Sequence, residues 1–174
     1  TSQLLIKQAR GYLLNWKPDF IILGTGINDV RLEAFTEKTT NKFLFSGKLS
    51  ILNRCINKFF YMPFLIKFLK KERVSEQEFV KSINSLKNTF KKSKIIWLEI
   101  SCDDDYEKKR PGVLARKKLF NQRIKEVFHS GFLEINKDMN KKNFFTKDLH
   151  HFTKDGHKLI ANKIINLIQK INLT

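Results

Sequence analysis

An α/β domain on a parallel sheet is the fold this sequence predicts, from short continuous apolar runs, amphipathic stretches between them, and their alternation along the chain. Phe20-Ile21-Ile22-Leu23 and Ile95-Ile96-Trp97-Leu98 are apolar without interruption, as strands covered on both faces of a parallel sheet must be. Phe132-Leu133-Glu134-Ile135 is a weaker third run. Helical periodicity lies between and after these runs, so the order is strand, helix, strand, helix, strand, helix.

Each element has a local cause. Leu4, Leu5, Gln8, Tyr12 and Leu13 approximate one helical face, and Lys17-Pro18-Asp19 ends it, because the residue before a proline is steered away from helix. The strand at Phe20 runs into Gly24. Ser75-Glu76-Gln77-Glu78 has the pattern of a capping box, and Phe79, Ile83, Leu86 and Phe90 then follow at helical spacing. Val113 to Phe128 carries Phe120, Ile124, Val127 and Phe128 on one face. Thr153 is the N-cap candidate for a closing helix that carries Ile160, Ile164, Leu167, Ile168 and Ile171. The connection from Leu23 to Ile95 far exceeds the dozen or so residues a crossover needs, which marks residues 31–74 as an insertion or lid.

The 174 residues are 41% hydrophobic, enough for a single domain spanning 1–174 with a real core. Thirty-four Lys and Arg against 17 Asp and Glu give a net charge of +17, which draws a protein toward anionic lipid, acidic glycans or nucleic acid. The lysines are spread along solvated helix faces, and the joint excess of Lys, Asn, Ile and Phe is what a low-GC genome produces. Nucleic acid is therefore the least favoured partner. Cys55 and Cys102 are too few and too far apart for a disulfide framework or a thiolate metal site, so both are expected as free thiols. The greasiest run, Phe59 to Leu69, is broken by Pro63 and Lys67 and falls short of the ~20 apolar residues of a membrane span. No signal peptide is visible, which says nothing of compartment when the N-terminus is expected to be missing; the compartment stays open, with a lean to the cytoplasm. The chain opens at Thr1 without an initiator Met, which suggests that something precedes it.

Two clusters carry chemistry. Gly24-Thr25-Gly26-Ile27-Asn28-Asp29 follows the first strand; its glycines allow a tight turn, and an Asn just past a strand end can aim its amide at developing negative charge. The same composition also makes ordinary turns. Asp148-Leu149-His150-His151-Phe152-Thr153-Lys154-Asp155-Gly156-His157 precedes the last helix. A carboxylate three residues ahead of a histidine in a turn can hold the Nδ1 proton and leave Nε2 as general base. A solvated polar loop is the bland alternative, and Asp148, His150, His151, Asp155 and His157 include metal-ligand types, though in no standard spacing. Asp103-Asp104-Asp105 reads as an exposed acidic loop.

Together the clusters resemble two conserved blocks of the SGNH, or GDSL-type, hydrolases. The segment from Lys17 to Asp29 is similar to their third block, in which GxND follows a hydrophobic strand. Asp148-Leu149-His150-His151 is similar to their fifth block, DxxH, with Gly156 five residues beyond the His. The resemblance implies a three-layer α/β/α sandwich on a parallel sheet, and a Ser-His-Asp triad in which Asp148 orients His151. It implies Asn28 as an oxyanion donor beside Gly26, no cofactor or metal, and acyl-ester substrates on glycans, lipids or small molecules. The family's GDS motif and second block do not occur here. Thr1 to Leu5 looks like the segment that follows the second block, so Ser2 is not the nucleophile, and the first strands are expected to be missing. Carbohydrate O-acetyl transfer on the same fold, and a non-catalytic basic binding module, stay open as alternatives.

Lys48 to Lys71 interleaves Leu49, Leu52, Ile56, Phe59, Phe60, Met62, Phe64, Leu65, Phe68 and Leu69 with lysines. Two short helices meeting at Pro63 would gather that surface. The expectation is a lid with its aromatics packed on the domain; the alternative is a face that lies on an anionic membrane.

Overall fold

The structure is a computed structural model and describes residues 8, 11, 13, 15–34, 62–139 and 143–172. It is a mixed α/β fold. Strands β1 (Phe20–Leu23), β4 (Lys94–Leu98) and β5 (Phe132–Leu133) form a parallel sheet in the order β1-β4-β5. The register pairs Ile21 with Ile95 and Leu23 with Trp97, and then Trp97 with Phe132. Two-residue strands β2 (Leu32–Glu33) and β3 (Lys71–Glu72) pair antiparallel. The helices given by the described residues are α1 (Pro63–Leu69), α2 (Glu76–Thr89), α3 (Tyr106–Lys109), α4 (Val113–Phe128), α5 (Asn136–Met139) and α6 (Lys154–Asn172). None of them is long and apolar enough to cross a membrane.

The capping box forms at α2. Ser75 Oγ accepts from the Glu78 N–H while the Glu78 carboxylate accepts from the Ser75 N–H at 2.9 Å, satisfying two donors that helix geometry leaves free. Phe79, Ile83 and Leu86 are buried on the resulting inner face. They meet Phe120, Ile124 and Phe128 of α4 and Trp97 of β4 in one apolar cluster, with the Phe79 and Phe120 rings 4.4 Å apart. Leu98, next to Trp97 on β4, belongs to a second cluster with Ile135, Phe145 and Ile160 of α6. Successive strand residues point to opposite faces, so adjacent positions on one strand seed separate cores. Fully burying side chains of this size is worth ~1.5–3 kcal/mol each.

Several expectations change. The run at Phe20 was expected to be covered on both faces, yet only Ile21 and Leu23 are buried and Ile22 is 45% exposed. Among the described residues β1 pairs with β4 alone and forms an edge. The third strand stops at Leu133, because the N–H groups of Ile135 and Asn136 turn to the Glu99 carboxylate, both at 2.8 Å, and the chain enters α5. Of the expected insertion at 31–74 the structure describes only the two ends, where β2 pairs with β3 and Ile66 of α1 packs on Leu32 and Ala34. Pro63 opens α1, where its missing N–H costs nothing. The lid expectation fails for two aromatics, since Phe64 and Phe68 are 65% and 69% exposed and lie against each other at 4.6 Å. Ile66 takes the inward position, and helical spacing then puts those rings on other faces. Phe59, Phe60 and Cys55 lie outside the described residues; Cys102 is a buried free thiol.

Candidate active site

The GxND loop begins where β1 ends. Asp29 and Val30 both donate backbone N–H groups to the Gly26 carbonyl, at 2.8 and 3.1 Å, which closes the turn. Gly26 has φ +121°, and a Cβ there would meet Ile100 Cδ1 at 2.5 Å, so backbone conformation and space both demand glycine. Arg116 of α4 fastens the loop: Nε donates to the Val30 carbonyl, Nη2 to the Asp29 and Val74 carbonyls, and Nη1 pairs with Glu72. One buried guanidinium thereby joins the loop, β3 and α4. Asn28 is exposed at the tip, and its Oδ1 accepts from Arg31 Nη1 at 2.9 Å. That bond leaves the two N–H groups of its amide to donate.

The DxxH turn is fixed as tightly. Asp148 Oδ1 accepts from Thr146 Oγ1 at 2.7 Å, His151 N at 3.0 Å and His150 N at 3.1 Å. Its Oδ2 lies 2.5 Å from His151 Nδ1. Partial burial opposes the charge on Asp148, but the His151 ring, the two N–H groups and the Thr146 hydroxyl outweigh it and hold the carboxyl well below the usual carboxylate range. Leu149 sits at φ +72°, a conformation leucine adopts rarely, with its N–H on the Thr146 carbonyl and its own carbonyl accepting from Asp103 N. Beyond the turn, Thr153 Oγ1 accepts from Gly156 N at 3.2 Å at the start of α6, so Thr153 caps that helix.

The two loops meet in one cavity of about 350 Å³ at the carboxyl ends of β1 and β4. Gly26, Asn28, Ser101, His150, His151 and His157 are among its lining residues. Asp148 stands behind His151 and does not line it. This is the end of a parallel sheet where ligands bind. A larger cavity, about 680 Å³, lies at the opposite end between α2, α4 and α6, lined by Lys87, Lys91, Lys94 and Lys170 among apolar residues. Its described lining holds no carboxylate or histidine and so no acid–base pair, and volume is the weaker guide to chemistry.

Sequence reasoning missed several members of the site. Ser101 is 5% exposed and lines the cavity, and its Oγ has no hydrogen-bond partner among the described residues. A buried hydroxyl left without a partner costs ~1–3 kcal/mol, which makes Ser101 a candidate member of the site. Its place just past β4 was the available signal. Thr146 and Arg31, which hold the carboxylate and the amide, carried no signal because both act through neighbours. Asp103-Asp104-Asp105 is a partly exposed turn into α3, with Asp103 Oδ1 accepting from Asp105 N.

Asp148, His150 and His151 offer ligand atoms within 4.8 Å of one another. Asp155 and His157 do not join them. Two ligands on one zinc ion sit roughly 3 Å or more apart, given bonds of ~2.0–2.2 Å, whereas the 2.5 Å contact between Asp148 and His151 is that of a direct hydrogen bond. No protein-family model, curated protein or solved structure matches this chain. Functional inference therefore rests on the site.

Proposed function

We propose that this chain carries the base, the orienting acid and one oxyanion donor of an SGNH-type serine esterase. The observation that carries it is the 2.5 Å contact from His151 Nδ1 to Asp148 Oδ2, beside a cavity that Asn28 also lines. The two apolar clusters that meet on β4 support a three-layer α/β/α sandwich, and the edge position of β1 leaves room for further strands beside it.

Asp148 holds the Nδ1 proton, fixing the tautomer that leaves Nε2 basic. Nε2 takes the proton of a serine hydroxyl as Oγ attacks the ester carbonyl, and the Asn28 amide donates to the oxygen that becomes negative. Collapse releases the alcohol with the proton returned from His151. Water then attacks the acyl-serine in hydrolysis, or a sugar hydroxyl does so in O-acyl transfer. The serine comes from a GDS segment outside these 174 residues. Exposed Phe64 and Phe68, beside exposed Lys67, Lys70 and Lys71, support an anionic membrane surface as partner. A non-catalytic basic module would instead show salt-dependent binding to nucleic acid.

The test is the coding sequence upstream of Thr1 and the activity of its product. A Gly-Asp-Ser run about 30 residues upstream, one strand and helix unit away, and short-chain aryl ester turnover lost with His151→Ala are the expected results. Turnover by the 174-residue chain alone would place the nucleophile inside it, with Ser101 the first residue to substitute. A complete product that lacks turnover would reject the assignment.

A further inference from the structure

The segment after β4 brings two polar side chains to the active-site cavity that the proposed chemistry does not use. Glu99 and Ser101 both line it. Between them Ile100 is anchored in the core: its N–H donates to Asn121 Oδ1 at 2.7 Å, and its carbonyl accepts from Asn121 Nδ2 at 2.9 Å. One buried side-chain amide thus pairs both backbone groups as a neighbouring strand would, and the two flanking residues are held in fixed places.

Both side chains have bonding capacity left over. Glu99 Oε2 accepts from the Ile135 and Asn136 N–H groups, while Oε1 has no hydrogen-bond partner among the described residues. Ser101 Oγ is buried and has none there either. An unpaired hydroxyl breaks no bond when it turns about χ1, so one rotamer step can bring it to a ligand in the cavity that its residue lines. The rest of the lining narrows the ligand. Asn28, His150, His151 and His157 offer amide and imidazole groups that donate and accept, and Leu98 and Phe152 offer apolar surface. No Lys or Arg is among the described lining residues, although the chain has 34. An anion would meet the Glu99 carboxylate with no cation in that lining to offset it, and an alkyl group would leave the free polar atoms unpaired. A sugar ring has the complementary pattern, with hydroxyls around its edge and C–H groups on its faces.

We propose that this cavity holds a neutral sugar, with Glu99 Oε1 accepting from one ring hydroxyl and Ser101 Oγ bonding a second, so that the acyl ester beside His151 is carried by a carbohydrate. The nature of the ester rests on the esterase assignment; the binding of a sugar does not.

The test is titration of the 174-residue chain with the methyl glycosides of glucose, galactose and mannose, and with cyclohexanol, a ring of similar size with one hydroxyl. Amide chemical shifts follow each titration. Saturable shifts at Gly26, Ser101 and His151 with at least one glycoside, below about 0.1 M, are expected. Glu99→Gln keeps an oxygen for the Ile135 and Asn136 N–H groups but loses the charge, and should weaken binding about tenfold. Ser101→Ala should weaken it about fivefold yet leave Tm unchanged or raised by about 2–4 °C, because it removes a buried hydroxyl without a partner among the described residues. A Ser101 of purely structural worth would lower Tm and leave binding alone. Circular dichroism on each variant separates lost binding from lost folding. No saturable shift with any glycoside, cyclohexanol binding as tight as the tightest glycoside, or binding unaltered by both substitutions overturns the proposal. Neither result bears on the esterase assignment, which stands or falls on turnover by the complete product and its loss with His151→Ala.

Discussion

Replacing Asp148 by Asn separates charge from shape at the centre of the site. Asn keeps an oxygen to accept from Thr146, His150 and His151 backbone donors, but its nitrogen replaces the Oδ2 that lies 2.5 Å from His151 Nδ1. Hydrogen bonds to a charged group contribute ~1.5–3 kcal/mol each when sheltered. The Asp148 side chain is 42% exposed, which screens the charge, and three of four bonds survive in neutral form, so the expected loss at pH 7 is about 1–2 kcal/mol. The sign in pH follows from the lowered carboxyl pKa. A carboxyl depressed in the folded state contributes its stability above the unfolded value of ~3.9 and loses it as pH falls toward the folded value. Wild type and Asp148→Asn should therefore differ at pH 7 and 5 and converge through pH 4 to 3. Urea denaturation across that range, read by the fluorescence of buried Trp97, measures the gap. A gap that stays constant down to pH 3, or none at pH 7, refutes the energetic role given to the carboxylate. On the proposed esterase assignment the same substitution should lower kcat about 10⁴-fold by fixing the wrong tautomer.

On the proposed esterase assignment, Asn28→Ala should cut kcat about 10²–10³-fold with little change in KM, because the amide would serve the developing oxyanion; an equal rise in KM would make it a substrate contact instead. Gly26→Ala forces a Cβ to 2.5 Å from Ile100 at positive φ and should cost about 2 kcal/mol, a fall of roughly 4–8 °C in Tm by calorimetry. Burial pushes the Cys102 thiol up to about 11, so its peptide should resist iodoacetamide at pH 8 until denaturant is added, as read by mass spectrometry. Vesicles rich in phosphatidylserine should retain the chain at low salt and release it with added salt, and Phe64→Ser with Phe68→Ser should weaken retention; retention unaltered by that pair rules out α1 as the contact.

The sequence by itself determined those parts whose cause lies within a few residues. Ser75 and Glu78 cap α2 through each other, Thr153 caps α6, and Lys17-Pro18 ends the first helical segment at a backbone that has already turned to φ +44°. Asp148 and His151 are three residues apart in one turn, so their contact was legible too. Tertiary structure decided whatever depends on partners far away in the chain. The exposure of Ile22 follows from what lies beside β1, and the early end of β5 from Glu99 taking the next N–H groups. Arg116 became a clamp because Glu72, Val74, Asp29 and Val30 converge on it. Capping and turn formation are settled by short-range sterics and nearby donors, whereas a charged side chain acquires its role only when folding fixes which distant acceptors surround it.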